Sequence, residues 1–125
     1  GPSTCGCMNT AEDGLDPDCN CIFMPYGDGA SFSGYREDPW PVPGSEAVLH
    51  FRGLRNLDAT LEYAREHLGL TGAAELVVTG TSAGGLSTFL HADRIAEFVG
   101  AGVRTTAAPV VGYFLDHDDF AHDNK

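Results

Sequence analysis

The stretch LVVTGTSAGGL, which runs from Leu76 to Leu86, decides the fold of this 125-residue chain. Its first residues are aliphatic and β-branched, a glycine interrupts them, and apolar residues then recur at helical spacing. The pattern predicts a buried strand that turns sharply into a helix, with Ser82 at the turn. The pentapeptide GTSAG at 80–84 also fits Gly-x-Ser-x-Gly, in which such a turn presents a serine nucleophile.

The turn predicts a role for each residue around Ser82. The residues two before and two after the serine crowd each other in a sharp strand-to-helix turn, so Gly80 and Gly84 are expected to be required as small residues. The backbone N–H of Ala83 is expected to face the oxyanion formed during acyl transfer, next to the positive end of the helix. Ser82 is therefore predicted to be the catalytic nucleophile. A simple glycine turn remains the alternative.

Two amphipathic patterns flank this stretch. Leucines and an alanine spaced from Leu54 to Leu68 predict a helix that begins at Gly53 and is ended by Gly69. A second helix is predicted from Gly84 to Gly100, and its buried stripe is assigned to Phe89, Ala92, Ala96 and Val99.

Strands are predicted at 76–79 and 102–107, and a short buried strand at 19–26 that Pro25 would end. Residues 47–51 are interpreted as a short strand or an ordered approach to the first helix. Strands that alternate with helices indicate an α/β fold with a parallel sheet core and flanking helices.

Length and charge limit the classes of protein to consider. The chain is long enough for one domain, assigned to 1–125, with a loop-rich segment at 1–18. Lys and Arg total 7 against 18 for Asp and Glu, and the formal net charge of −11 disfavours binding to nucleic acid or anionic membranes. No apolar run is long enough to predict a membrane span.

The four cysteines form two Cys-x-Cys pairs, Cys5 with Cys7 and Cys19 with Cys21. This spacing differs from the Cys-x-x-Cys of structural zinc sites, so no metal site is predicted. Disulfides are favoured and would indicate an oxidising compartment, although four free thiols remain an alternative.

The loop GDGASFSG at 27–34 holds three glycines and is interpreted as a segment held close to another part of the protein. Asp28, Ser31 and Phe32 are candidate substrate-pocket residues. A side-chain hydrogen bond that stabilises the turn explains Asp28 equally well.

A serine nucleophile needs a histidine to take its proton and an acid to orient that histidine. In α/β-hydrolases both follow the serine in the chain. None of the five histidines is favoured as this base: His50, His67, His91, His117 and His122. The acidic tail at 116–123 is interpreted as a solvated loop rather than as triad members or a metal site.

Three blocks occur in order along the chain: YGDGASFSG at 26–34, LHFRG at 49–53 and GTSAGGLSTFLHADRIA at 80–96. Together they resemble the pectin acetylesterase and Notum carboxylesterase family. A fourth block, GYFLD at 112–116, resembles the segment after the elbow helix in that family. The resemblance implies a partial α/β-hydrolase-like fold, a Ser-His-Asp triad, ester hydrolysis without metal or organic cofactor, and a secreted protein. The 27–34 loop is more similar to the pectin acetylesterase branch, which implies acetyl esters of a polysaccharide as substrate.

In the family, the triad acid and histidine and a second oxyanion donor lie outside the region that this chain resembles. The chain is therefore predicted to be a central fragment that is inactive alone. Three alternatives remain: a non-catalytic interaction module, a Notum-like deacylase of a lipidated protein, and an unrelated peptidase or lipase that shares only the elbow.

Overall fold

The computed structural model describes residues 19–114. Along the chain, two short strands come first, β1 (Trp40–Pro41) and β2 (Val48–Leu49), followed by helix α1 (Gly53–His67). A 3₁₀ turn at Leu70–Gly72 leads into strand β3 (Glu75–Thr81), helix α2 (Ala83–Val99) and strand β4 (Arg104–Val110). The predicted loop at 1–18 and the acidic tail at 116–123 lie outside the described residues.

Strands β3 and β4 are parallel neighbours, and helix α2 connects them. Their register begins with Glu75 opposite Arg104 and ends with Thr81 opposite Val110. The Arg104 guanidinium donates a hydrogen bond to Glu75 at 2.7 Å, and this bond raises the pKa of Arg104 above its ordinary value. The predicted parallel α/β arrangement is confirmed, and β4 extends three residues beyond its predicted end at 107.

Strands β1 and β2 form a separate antiparallel pair, with Trp40 opposite Leu49. The strand predicted within 47–51 is present as β2, and β1 was not predicted. A two-residue strand that contains a proline has no period-2 pattern to detect in the sequence.

The core lies between the two long helices and one face of the β3–β4 sheet. Leu76 and Val78 of β3 pack against a cluster of buried residues formed by Leu57, Leu61, Ala64, Leu70, Ile95, Val99 and Val103. The alternate residues of β3 are exposed, as Val77 is at 44%. Within residues 19–114, helices therefore cover only one face of the sheet.

Helices α1 and α2 run in the same direction. Asp58 of α1 contacts Arg94 of α2. Arg65, further along α1, contacts Phe98, further along α2, so residue numbers rise in the same direction along both helices. Because α2 begins where β3 ends, the first turns of both helices lie toward the carboxyl edge of the parallel sheet. Neither helix has the length and apolar composition that crossing a membrane requires, and the described part of the chain has no other helix that does.

The buried stripe predicted for α2 is correct at Val99 and wrong at Phe89. The residues buried on α2 are Gly85, Thr88, His91, Ile95 and Val99, and Phe89 is 62% exposed. Gly85 sets this phase, because a Cβ built there would lie 2.9 Å from the carbonyl oxygen of Val110. The residue without a side chain therefore faces the sheet, and the large Phe89 does not.

Two further predictions are corrected. Residues 19–26 form no strand in the described chain, and Ile22, Phe23 and Tyr26 are 44 to 60% exposed. Within residues 19–114 no strand ladder includes this run, and Pro25 lacks the N–H that a ladder needs. Leu68 is 58% exposed because it follows the last residue of α1, immediately before Gly69 reverses the chain with φ 70°.

Candidate active site

Ser82 alone joins β3 to α2. The strand ends at Thr81, the helix begins at Ala83, and Ser82 adopts φ 56° and ψ −113°. A side chain in this region of backbone space is strained, and such strain concentrates at functional sites. The sharp turn predicted from GTSAG is therefore present.

The backbone of Ser82 is firmly held. Its N–H donates to the carbonyl oxygens of Val110 at 3.1 Å and Val111 at 3.2 Å, and its carbonyl accepts from the N–H of Leu86 at 3.0 Å. The end of β4 thus fixes the turn from one side and the first turn of α2 fixes it from the other. Val111 is itself strained, with φ 51°.

The Ser82 side chain is exposed and does not cap the helix. Serine is a favoured residue at the N-cap position, where its oxygen normally accepts a hydrogen bond from the first turn. Ser82 occupies that position in α2 and makes no such bond. Helix capping therefore does not explain a serine at this position.

Crowding at the turn requires glycine on one side only. A Cβ built on Gly80 would lie 2.5 Å from the carbonyl carbon and oxygen of Gly84, whereas one built on Gly84 would meet nothing within 4 Å. The expectation that both residues must be small is thus corrected for Gly84. Gly85, whose role was not predicted, is the other residue of this turn where a side chain would clash, with the carbonyl oxygen of Val110.

Ala83 is the first residue of α2. The first N–H groups of a helix have no partner within the helix, and the helix dipole places positive charge there. The Ala83 N–H therefore lies where an oxyanion donor is needed, beside Ser82. Its assignment to the oxyanion hole remains a prediction.

The three candidate pocket residues lie together in the loop that covers the start of α1. Asp28 is 8% exposed, and its Oδ1 accepts hydrogen bonds from the N–H groups of Ala30 and Phe32, both at 3.2 Å. A side chain on Gly53, the first residue of α1, would overlap Asp28 Oδ2. The turn-stabilising role considered for Asp28 is present in the structure.

Ser31 and Phe32 are buried, and both have positive φ, at 49° and 58°. The Ser31 N–H donates to the Tyr26 hydroxyl at 3.3 Å, and the Tyr26 and Phe32 rings lie 5.6 Å apart. No hydrogen bond or ring contact within residues 19–114 joins this loop to Ser82. Helix α1 begins beneath this loop and runs in the same direction as α2, whose first residue follows Ser82.

No described histidine is bonded to Ser82. His91 is 7% exposed, lies on the sheet-facing side of α2 and has an Nε2 with no hydrogen bond. His67 is in the last turn of α1, at the opposite end from the serine, and His50 is exposed. His117 and His122 lie outside the described residues.

Cys19 and Cys21 are both disulfide-bonded, so the preference for disulfides over free thiols is confirmed for these two. Residues 19–114 contain no group of three or more His, Cys, Asp or Glu side chains placed to hold a metal ion.

A strained serine between a parallel strand and a helix is the arrangement found in serine hydrolases of the α/β-hydrolase class. Residues 10–125 match the family model described as Pectinacetylesterase, and the chain belongs to this family. The family is α/β-hydrolase-like, as the resemblance implied.

Relatives of both branches match the chain. Pectin acetylesterase 4 of Arabidopsis thaliana is 32% identical over 97 residues, which are 78% of this chain and 23% of the relative. Palmitoleoyl-protein carboxylesterase NOTUM of Homo sapiens is 28% identical over 109 residues, which are 82% of this chain and 20% of the relative. The chain thus spans about a fifth of the length of these relatives. No solved structure matches the chain.

Proposed function

We propose that this chain carries the nucleophile of a serine carboxylesterase that removes O-acetyl groups from pectin-type polysaccharide. The conformation of Ser82 is the observation that carries the proposal. A non-glycine residue with φ 56° and ψ −113° costs stability, and the hydroxyl of this residue does not cap the helix. Exposing a nucleophile explains both features.

In this mechanism the Ser82 oxygen attacks the acetyl carbonyl and forms a tetrahedral oxyanion. The Ala83 N–H donates a hydrogen bond to that oxyanion, and the N-terminus of α2 adds favourable charge. A histidine oriented by an acid takes the serine proton and passes it to the leaving sugar oxygen, which leaves as a hydroxyl and leaves the acetyl group on Ser82. Water that gives a proton to the same histidine then attacks this ester, which releases acetate and restores the serine. We assign the histidine, the acid and the second oxyanion donor to parts of the protein outside the described residues.

Acetyl esters of a polysaccharide are the preferred substrate for two reasons. Two relatives with 32% and 31% identity are pectin acetylesterases. The sequence of the 27–34 loop also resembles that branch. Removal of a long acyl chain from a protein is the second candidate, because NOTUM is also a relative. The exposed Phe89, whose ring lies 6.2 Å from that of Phe114, is the apolar surface that favours it.

The disulfide-bonded Cys19 and Cys21 support the further proposal that the protein is secreted, because disulfides persist in oxidising compartments. The mechanism uses no metal and no organic cofactor.

The decisive experiment compares Ser82→Ala with Ser87→Ala in protein expressed from the complete open reading frame. Ser87 is a matched control because it is a serine on the same helix, one turn beyond the elbow. Ser82→Ala is expected to lower acetate release from acetylated pectin by a factor on the order of 10⁴ to 10⁶ and to abolish labelling by a fluorophosphonate probe. Ser87→Ala should retain both.

Labelling that persists in Ser82→Ala would place the nucleophile elsewhere. Absence of both labelling and acetate release in the unsubstituted protein would favour the non-catalytic interaction module. A faster reaction with a palmitoleoyl ester than with acetylated pectin would select the second candidate substrate.

A further inference from the structure

Val111, the residue after β4, has a backbone conformation that valine rarely adopts. Its φ of 51° lies in the left-handed region, where a β-branched side chain is strained. Glycine and asparagine occupy this region at lower cost. Strained residues persist only where the surrounding structure fixes them, and they concentrate at functional sites. A valine at this position therefore needs an explanation other than backbone preference.

A hydrogen bond fixes Val111 beside the nucleophile. Its carbonyl oxygen accepts from the Ser82 N–H at 3.2 Å, and ordinary bond lengths then place the Ser82 side-chain oxygen within about 7 Å of that carbonyl oxygen. On the other side of Val111, the Phe114 ring lies so close to Gly112 that a Cβ built there would overlap it. An acyl group attached to Ser82 can therefore reach Val111.

Packing within residues 19–114 does not account for the valine. Val111 is 75% exposed and is not among the residues that form the core or pack against it. Its side chain therefore gains little from burial to offset the backbone strain. A branched side chain has few rotamers, so on this fixed backbone it presents a rigid apolar surface beside the serine.

The chemistry of the ester identifies which part of the substrate suits this surface. An O-acetylated polysaccharide has a polar side, the sugar with its hydroxyl groups, and an apolar side, the alkyl part of the acyl group. An aliphatic side chain would leave buried hydroxyl groups unpaired, whereas contact with alkyl carbon is favourable. Val111 therefore suits the acyl group rather than the sugar.

We propose that Val111 is a specificity-determining residue that bounds the acyl site of Ser82 and restricts this site to short acyl groups such as acetyl. The inference rests on the proposed function for the nucleophile and the reaction. It favours acetyl over the long acyl chain of the second candidate substrate. Val111 takes no part in breaking the ester bond.

The test compares kcat/KM for an aryl hexanoate with kcat/KM for an aryl acetate, in protein from the complete reading frame. Val111→Gly removes the side chain and should raise the hexanoate-to-acetate ratio about tenfold or more, because single methylene groups in an apolar pocket change kcat/KM about tenfold. Val111→Asn keeps a side chain of similar size and should leave the ratio within about twofold. Val48→Gly, at another exposed valine in β2, is the control and should not change the ratio.

Urea unfolding of Val111→Asn separates backbone strain from the acyl boundary. This variant should have a higher midpoint than the unsubstituted protein, because asparagine tolerates a left-handed backbone better than valine does. A lower midpoint would show that the valine packs in the core of the complete protein and would overturn the inference. An unchanged ratio in Val111→Gly, or an equal rise in Val111→Asn, would also overturn it. Failure of the proposed function would appear separately, as hydrolysis of both aryl esters that survives Ser82→Ala.

Discussion

Replacement of Gly80 by alanine tests the geometry of the elbow most directly. The new Cβ would lie 2.5 Å from two backbone atoms of Gly84 and 2.7 Å from a third, whereas ordinary van der Waals contact begins at 3.4 Å. All three atoms belong to the first turn of α2, so relief requires moving the helix relative to β3. Overpacking of this kind costs about 1–3 kcal/mol, and we expect a loss near 3 kcal/mol.

Gly84→Ala is the matched control, because it adds the same methyl group to the other glycine of the turn. Its Cβ meets nothing within 4 Å, and alanine is about 0.5–1 kcal/mol better than glycine in a helix. The two variants should therefore differ by about 4 kcal/mol, which is roughly a 10³-fold difference in the unfolding equilibrium.

Urea unfolding of both variants, in protein from the complete reading frame, measures this difference through the midpoint at constant m-value. If Gly80→Ala is as stable as Gly84→Ala, the crowding argument is refuted and the turn is looser than its backbone angles indicate.

Two further substitutions test the strain at the serine and the position of the core. Ser82→Gly should be about 1 kcal/mol more stable than Ser82→Ala in the same urea assay, because only glycine relieves the strain at φ 56°; equal stabilities would mean that the turn is unstrained. Leu61→Ala should lower the unfolding free energy by about 2–4 kcal/mol, because Leu61 is buried in the core. Leu68→Ala should change it by less than about 0.5 kcal/mol, because Leu68 is 58% exposed. Similar losses in both variants would place the core elsewhere.

Local sequence patterns were sufficient for the elements that surround the serine. The β-branched run before Gly80, the stripe from Leu54 to Ala64 and the glycines at 69 and 100 each carry their signal within a few residues. Backbone preferences and helical periodicity act over the same short range, so β3, the two helices and their ends could be predicted from the chain.

The phase of α2 was not predicted because it depends on a contact between distant residues. Periodicity alone favoured Phe89 as a core residue, but the helix faces the sheet with Gly85, where the carbonyl of Val110 approaches too closely for a side chain. The segment that the Asp28 loop packs against, the start of α1, escaped prediction for the same reason. Asp28 and Gly53 are 25 positions apart, and no spacing rule links them.

By itself, the sequence determined that a serine stands at a strand-to-helix turn in an α/β chain, because GTSAG and its apolar flanks encode that turn locally. Only the tertiary structure decided that the turn is strained at Ser82, that Gly80 rather than Gly84 must lack a side chain, and that the Asp28 loop covers the start of α1. The first two features arise from close packing between β3, α2 and the end of β4, and the third arises from packing of the loop on Gly53. Packing of that kind is set by three-dimensional distances rather than by residue order.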